Sequence, residues 1–145
     1  YSAIWMARGC GSDDARILTL EKNPDLAARA GQNFDQAGVG GRVEIRTGDG
    51  LEIVKDLSGP FDMIFLDIEK KDYAPALEEC RRLLREGGLL VADNTAFADA
   101  DEFNREIRRD ARWQAAPLYA FLPDHSPEHD GLCLAVKVSR SAKFE

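Results

Sequence analysis

The sequence predicts an α/β protein with a doubly wound, mostly parallel sheet that lacks its opening strand and closes with an antiparallel hairpin. Three features point there. Short apolar runs alternate with helix-length amphipathic segments, the pattern of strands joined by helical crossovers. Two of the runs, Phe61-Asp-Met-Ile-Phe-Leu-Asp67 and Leu89-Leu-Val-Ala92-Asp-Asn94, are almost unbroken apolar stretches, as in strands covered on both faces. The last two runs, residues 113–122 and 132–138, alternate well enough for a hairpin whose loop spans residues 124–130.

Taken in order, residues 2–10 fit a short helix that Gly9 and Gly11 break. Arg16-Ile-Leu-Thr-Leu-Glu21 reads as a buried strand ending in an acid. Asn23-Pro24 opens a helix in the expected way, a capping side chain followed by proline at the first helical position. Leu26, Ala30, Phe34 and Ala37 give that helix one apolar stripe, and Gly38 ends it. Val43-Glu-Ile-Arg-Thr47 alternates, so it reads as a partly exposed strand. Gly48-Asp49-Gly50 makes a turn, and Leu51, Ile53, Val54 and Leu57 a short helix. Beyond Asp67, a stripe of Tyr73, Leu77, Cys80 and Leu84 marks a helix that Gly87-Gly88 is expected to stop. A further amphipathic helix carries Phe103 and Ile107 over residues 100–112. Trp5 and Trp113 read as core or pocket wall.

Composition narrows the function classes. A chain of 145 residues suffices for one domain with a real core and not for two. A net charge of −7 and a pI near 4.9 argue against a nucleic-acid surface, which needs a basic patch. No apolar run approaches the ~20 residues of a membrane span, so no membrane partner is expected. Of three scattered cysteines, Cys80 and Cys133 fall in apolar patterns and read as small core residues in a reducing, cytoplasmic compartment.

The chemistry concentrates at two strand ends. In open α/β sheets, ligands gather at the carboxyl ends of strands. Asp67 ends one strand there, with Lys70 three residues on, and Asp93-Asn94 ends the next. If the two strands are parallel neighbours, their ends lie roughly 4.8 Å apart. Asp67, Asp93 and Asn94 then offer three oxygen ligands to one point, a set suited to a hard divalent cation such as Mg²⁺. The bland alternative stays open here: Asp67 caps the following helix, and Lys70 is solvated surface.

Several motifs then occur together and in one order: Tyr1-Ser2-Ala3, Leu20-Glu21-Lys-Asn-Pro-Asp25, Ala37-Gly38-Val39, Gly48-Asp49-Gly50, Phe65-Leu66-Asp67-Ile-Glu-Lys70-Lys-Asp-Tyr73, Ala92-Asp93-Asn94 and Asp130-Gly131-Leu132. Across nearly the whole chain this resembles the metal-dependent catechol and caffeoyl-CoA O-methyltransferase family, with a Rossmann-like fold and S-adenosylmethionine as methyl donor. The resemblance implies roles. Asp67, Asp93 and Asn94 would ligate Mg²⁺ or another divalent cation. Lys70 would be the general base, its pKa lowered by the cation and by partial burial. Glu21 would take the ribose hydroxyls and Asp49 the adenine amino group, with Gly48 and Gly50 letting the backbone approach. Ser2 would hold the methionine carboxylate, and Asp67 counts among the cofactor contacts too. Asp124, Lys70 and Asn94 would face the acceptor, a small hydroxylated aromatic of catechol type.

One departure and two alternatives complete the reading. The family's first strand, with its acidic-x-Gly ending and glycine loop, is absent, so residues 1–145 are expected to be an N-terminally truncated or incompletely resolved single methyltransferase domain. Lacking that strand's pairing, they are not expected to make a stable, active enzyme on their own. The alternatives are methylation of a hydroxylated transfer-RNA base, against which the acidic charge speaks, and a non-catalytic nucleoside-binding module. His125 and His129 are four apart, but Pro127 lies between them, and they are not expected to bind metal. Resemblance alone raises the expectation of a homodimer.

Overall fold

The computed structural model describes residues 1–12, 14–123 and 128–139, and the chain divides into two units, Tyr1–Asp56 and Leu57–Glu145. In the first unit, α1 (Ser2–Gly9) is followed by β1 (Ile17–Glu21), α2 (Pro24–Gln36), β2 (Val43–Thr47) and α3 (Gly50–Asp56). The Asn23 side chain accepts from the backbone N–H of Asp25 at 2.9 Å and of Leu26 at 3.3 Å, so α2 starts where the Asn-Pro pair predicts. Such a cap contributes about 1 kcal/mol. β1 and β2 are parallel, with Ile17 opposite Val43 and Glu21 opposite Thr47. Ala3, Ala7, Phe34 and Val39 form the buried cluster of this unit, with Ile17, Val43 and Ile45 packed on it.

The stripe expected on α2 holds for Ala30, Phe34 and Ala37, which pack in the core of this unit, and fails at Leu26. Leu26 is 50% exposed, whereas Ala27 and Phe34 are buried. One residue along a helix rotates the face by about 100°, so the packing face is centred on Ala27, Ala30 and Phe34, with Leu26 at its margin. Trp5 is exposed and so is not a core residue, while Trp113 is buried as expected.

The second unit contains β3 (Phe61–Leu66), α4 (Tyr73–Leu83), β4 (Leu84–Ala92), α5 (Asp101–Arg109), β5 (Trp113–Phe121) and β6 (His129–Lys137). Its sheet runs β3-β4-β6-β5. β3 and β4 are parallel, and β6 is antiparallel to both β4 and β5, so the closing hairpin is present. The α/β class, the parallel pairs and the hairpin are therefore those the sequence predicts.

Several local details differ. α4 ends at Leu83, and Leu84 already has extended backbone, so Gly87-Gly88 lies inside β4 and does not terminate the helix. Gly87 has φ +72, and the register between β3 and β4 slips in this stretch, from Phe61 opposite Leu84 to Met63 opposite Leu89. A side chain on Gly88 would meet the Arg85 carbonyl oxygen at 2.8 Å, which explains glycine within the bulge. β3 is an edge strand of this sheet, and Met63 is 41% exposed, so the cover expected on both faces is incomplete. β6 begins at His129, three residues before the expected start, which places Asp130 opposite Ala120 within the hairpin.

Cys80 and Cys133 are buried as expected, and Cys10 is exposed. Burial pushes the Cys80 thiol up to about 12. Among the described residues, no helix is long and apolar enough to cross a membrane.

Candidate active site

The register of β3 and β4 sets the site of the second unit. Leu66 lies opposite Ala92, so Asp67 and Asp93 leave the sheet side by side. The pairing continues one step further, with the Asp93 N–H donating to the Leu66 carbonyl at 3.1 Å. Asn94 then turns the chain with φ +52, a conformation asparagine tolerates better than most residues. Its backbone N–H donates to Asp93 Oδ1 at 2.8 Å.

Lys70 reaches back over this corner. Its Nζ donates to Asp67 Oδ1 at 3.1 Å, to the Ile68 carbonyl at 3.1 Å and to the Tyr73 hydroxyl at 3.0 Å. The Lys70 side chain is only 18% exposed, and Asp67 spends its bond on Lys70 and not on a helix N-terminus. The bland reading of a helix cap beside a solvated lysine does not describe these residues.

Of the two causes expected to lower the Lys70 pKa, partial burial acts in that direction but is outweighed by the chain's own bonds. Burial pushes it down, but hydrogen bonds to Tyr73 and Asp67 push it up by more, so the chain's own groups raise it above the ordinary lysine value. Partial burial alone does not prepare this amine as a base.

Tyr73 is the organising residue, to which the sequence reading gives a place in a helix stripe and at the end of the Asp67–Tyr73 motif but no role. It is fully buried, and its hydroxyl lies 3.0 Å from the Leu66 carbonyl and 2.9 Å from that of Asp93. The hydroxyl thus links the last residue of β3, the residue after β4 and the Lys70 ammonium. Its ring packs edge-on against Phe103 of α5, with centroids 5.5 Å apart, and burial raises its own pKa. The available signal was its place three residues after Lys70, a helical-neighbour spacing. Tyr73→Phe is expected to cost about 1 kcal/mol of stability, measured by urea unfolding, because a net hydrogen bond is lost while ring packing is kept.

Asp67, Asp93 and Asn94 fit a hard divalent cation by donor type. Among the described residues, Asp67 Oδ1 accepts from Lys70 and Asp93 Oδ1 from the Asn94 backbone, leaving the second oxygen of each carboxylate unshared. Two carboxylates and one amide carbonyl form an all-oxygen set. Among the described residues, no cluster of three or more His, Cys, Asp or Glu is arranged to hold a metal ion, so the set depends on the Asn94 amide.

In the first unit, Glu21 and Asp49 stand at the carboxyl ends of β1 and β2. The Gly48 N–H donates to the Glu21 carbonyl at 3.0 Å, and Glu21 Oε1 accepts from the Asn23 N–H at 2.8 Å. Asp49 Oδ1 accepts from the Leu51 N–H at 3.0 Å, and Oδ2 pairs with Lys22 at 3.1 Å. These bonds, Lys22 foremost, hold the Asp49 carboxyl below the usual range. Gly48 has φ +148, which favours glycine. Gly50 has no such backbone, and a side chain there would meet nothing closer than Leu20 at 3.9 Å. Ser2 is exposed in the first turn of α1. Asp124 and His125 lie outside the described residues.

This chain is similar to known proteins over much of its length. The chain is 46% identical over 98 residues to a catechol O-methyltransferase of Niastella koreensis, a match spanning 65% of this chain and 44% of that protein. It is 40% identical over 144 residues to the catechol O-methyltransferase of Sus scrofa, spanning 94% of this chain and 76% of that one. The chain thus spans less than half the length of the first relative. Among solved structures, an O-methyltransferase from Bacillus cereus in complex with SAH superposes with a TM-score of 0.85 at 30% identity, over 94% of this chain and 69% of that one. The O-methyltransferase family model matches residues 1–118. On these matches, the chain belongs to the O-methyltransferase family.

Proposed function

We propose that the protein is a divalent-cation-dependent O-methyltransferase that moves the methyl group of S-adenosylmethionine to a hydroxyl of a catechol-like small molecule. The observation that carries this reading is the in-register end of β3 and β4, where Asp67 and Asp93 emerge together with Lys70 bonded to Asp67. When bound, the cation stabilises an ionised acceptor hydroxyl, and the donor's sulfonium supplies the methyl group.

The chain's own residues do the rest. Asp67, Asp93 and Asn94 would hold the cation, and Asn94 would also face the acceptor, a role that the family resemblance extends to Asp124. Lys70 Nζ takes the proton of the hydroxyl that is to be methylated. The chain's own groups raise its pKa, and a bound cation beside it would act in the opposite direction. Glu21 accepts from the ribose hydroxyls, Asp49 from the adenine amino group and Ser2 bonds the donor's carboxylate, with Gly48 and Gly50 lining the approach. Fixing donor and acceptor in line supplies roughly 7–11 kcal/mol of the barrier reduction.

Acceptor choice tests the reading. Full-length protein with labelled S-adenosylmethionine is expected to methylate a vicinal diol on an aromatic ring, and to fail with the corresponding monophenol, which offers a cation one oxygen instead of two. Equal rates with both would remove the chelated-acceptor element. Transfer to RNA with none to catechols would replace the small-molecule reading altogether.

A further inference from the structure

Beneath Asn94 lies a carboxylate to which no role has been given. Asp130, in β6, is only 7% exposed. Its Oδ2 accepts from the Asn94 side-chain Nδ2 at 2.6 Å, and its Oδ1 accepts from the Gly131 N–H at 2.6 Å. The surrounding backbone is pinned. The Thr95 N–H donates to the Gly131 carbonyl at 2.8 Å, and the buried Asn104 side chain of α5 donates to the Thr95 carbonyl at 2.7 Å. A side chain on Gly131 would meet Thr95 Oγ1 at 2.8 Å, so the two segments approach as closely as glycine allows.

We propose that Asp130 is a positioning residue that fixes which edge of the Asn94 carboxamide is available as a ligand, an inference that rests on the cation reading above. An asparagine amide has a carbonyl edge that accepts and an amino edge that donates. Only the carbonyl edge can ligate a cation. A free amide can turn over and present its amino edge instead. An ionised carboxylate accepts and never donates, so Asp130 can face only the amino edge and leaves the carbonyl oxygen as the outward one. Its second oxygen is held by Gly131, so the carboxylate itself cannot rotate without breaking that bond. Outer partners of this kind orient a metal ligand, and their loss typically costs about 10–100-fold in affinity.

The same logic yields a swap. In Asp130→Asn, the introduced carboxamide keeps its carbonyl on the Gly131 N–H and turns its amino group toward Asn94. Two amino edges then oppose each other unless Asn94 flips, and flipping aims its amino group at the cation. Adding Asn94→Asp restores complementarity: a carboxylate accepts from the introduced amino group and offers its other oxygen to the cation. The double variant also has the net charge of the wild type, so the two compare directly.

The test is Mn²⁺ binding, read from the loss of the free-ion EPR signal without turnover, with thermal melting alongside. D130N is expected to bind Mn²⁺ about 10–100-fold more weakly than wild type. The N94D/D130N double variant is expected to return to within about threefold of wild type, while N94D alone, whose carboxylate faces that of Asp130, is expected to bind more weakly than the double variant, a coupling far from additive. Wild-type affinity in a folded D130N, or a folded double variant no tighter than D130N, would overturn the assignment of Asp130 alone. A double variant at wild-type affinity supports it even where D130N melts too low to assay. Wild-type protein that binds no Mn²⁺ would overturn the inference together with the cation reading beneath it.

Discussion

Replacement of Lys70 by alanine is expected to slow methyl transfer by about 10²–10⁴-fold, the range for loss of a positioned general base. The side chain is mostly covered and makes three hydrogen bonds at the corner of the site. Its removal leaves neighbours that retain other bonds: Tyr73 keeps the Leu66 and Asp93 carbonyls. The fold should therefore survive, and binding of the methyl donor, measured by calorimetry, should stay near wild type. Lys70→Arg sharpens the test. A guanidinium keeps the positive charge beside Asp67 but does not give up its proton at neutral pH. Arginine is expected to be nearly as slow as alanine if the lysine moves a proton. An active Lys70→Arg enzyme would reduce Lys70 to a positive charge.

Removing the charge of Asp93 is the second large effect. Asp93→Asn keeps an acceptor for the Asn94 N–H and leaves the backbone bonds to Leu66 and Tyr73 untouched. Stability should change little. Divalent-cation affinity is expected to fall by about 10²-fold or more, since a direct ligand matters at least as much as the outer partners whose loss costs 10–100-fold. Titration of Mg²⁺ by calorimetry, with melting as the control, separates the two quantities. Asp67→Asn should behave similarly, with an added loosening of Lys70, which shares that carboxylate. Unchanged affinity in both variants would mean that the cation, if one is used, binds elsewhere.

The parts legible in the sequence are those fixed by strand direction. Two apolar runs with one helix between them imply parallel neighbours, so Asp67 and Asp93 had to emerge together whatever the details. Asn23-Pro24 was equally readable, because a cap is a local hydrogen bond. The end of α4 was not. Leu84 suits a helix stripe and a buried strand alike, and the choice is made by pairing with Phe61, a contact 23 residues away in sequence. At the start of α2 the stripe is off by one residue, since apolar spacing cannot say whether Leu26 or Ala27 meets the core.

The site shows the same division. Residue types that carry chemistry stood out, but the groups that hold them did not. Tyr73 looked like core because it is core, and only the placement of its hydroxyl against two carbonyls and Lys70 shows its second task. The direction of the Lys70 pKa depended on those same bonds, which composition and spacing do not reveal. Gly50 illustrates the converse: a motif glycine whose backbone any residue could adopt.

The cation claim is tested most directly by methyl transfer from labelled S-adenosylmethionine to a simple catechol, using the full-length protein before and after EDTA. Transfer is expected to disappear with EDTA and to return on adding Mg²⁺ in excess of the chelator. Transfer that continues undiminished in EDTA would remove the role given to Asp67, Asp93 and Asn94, and with it the use of Asp130 as their support.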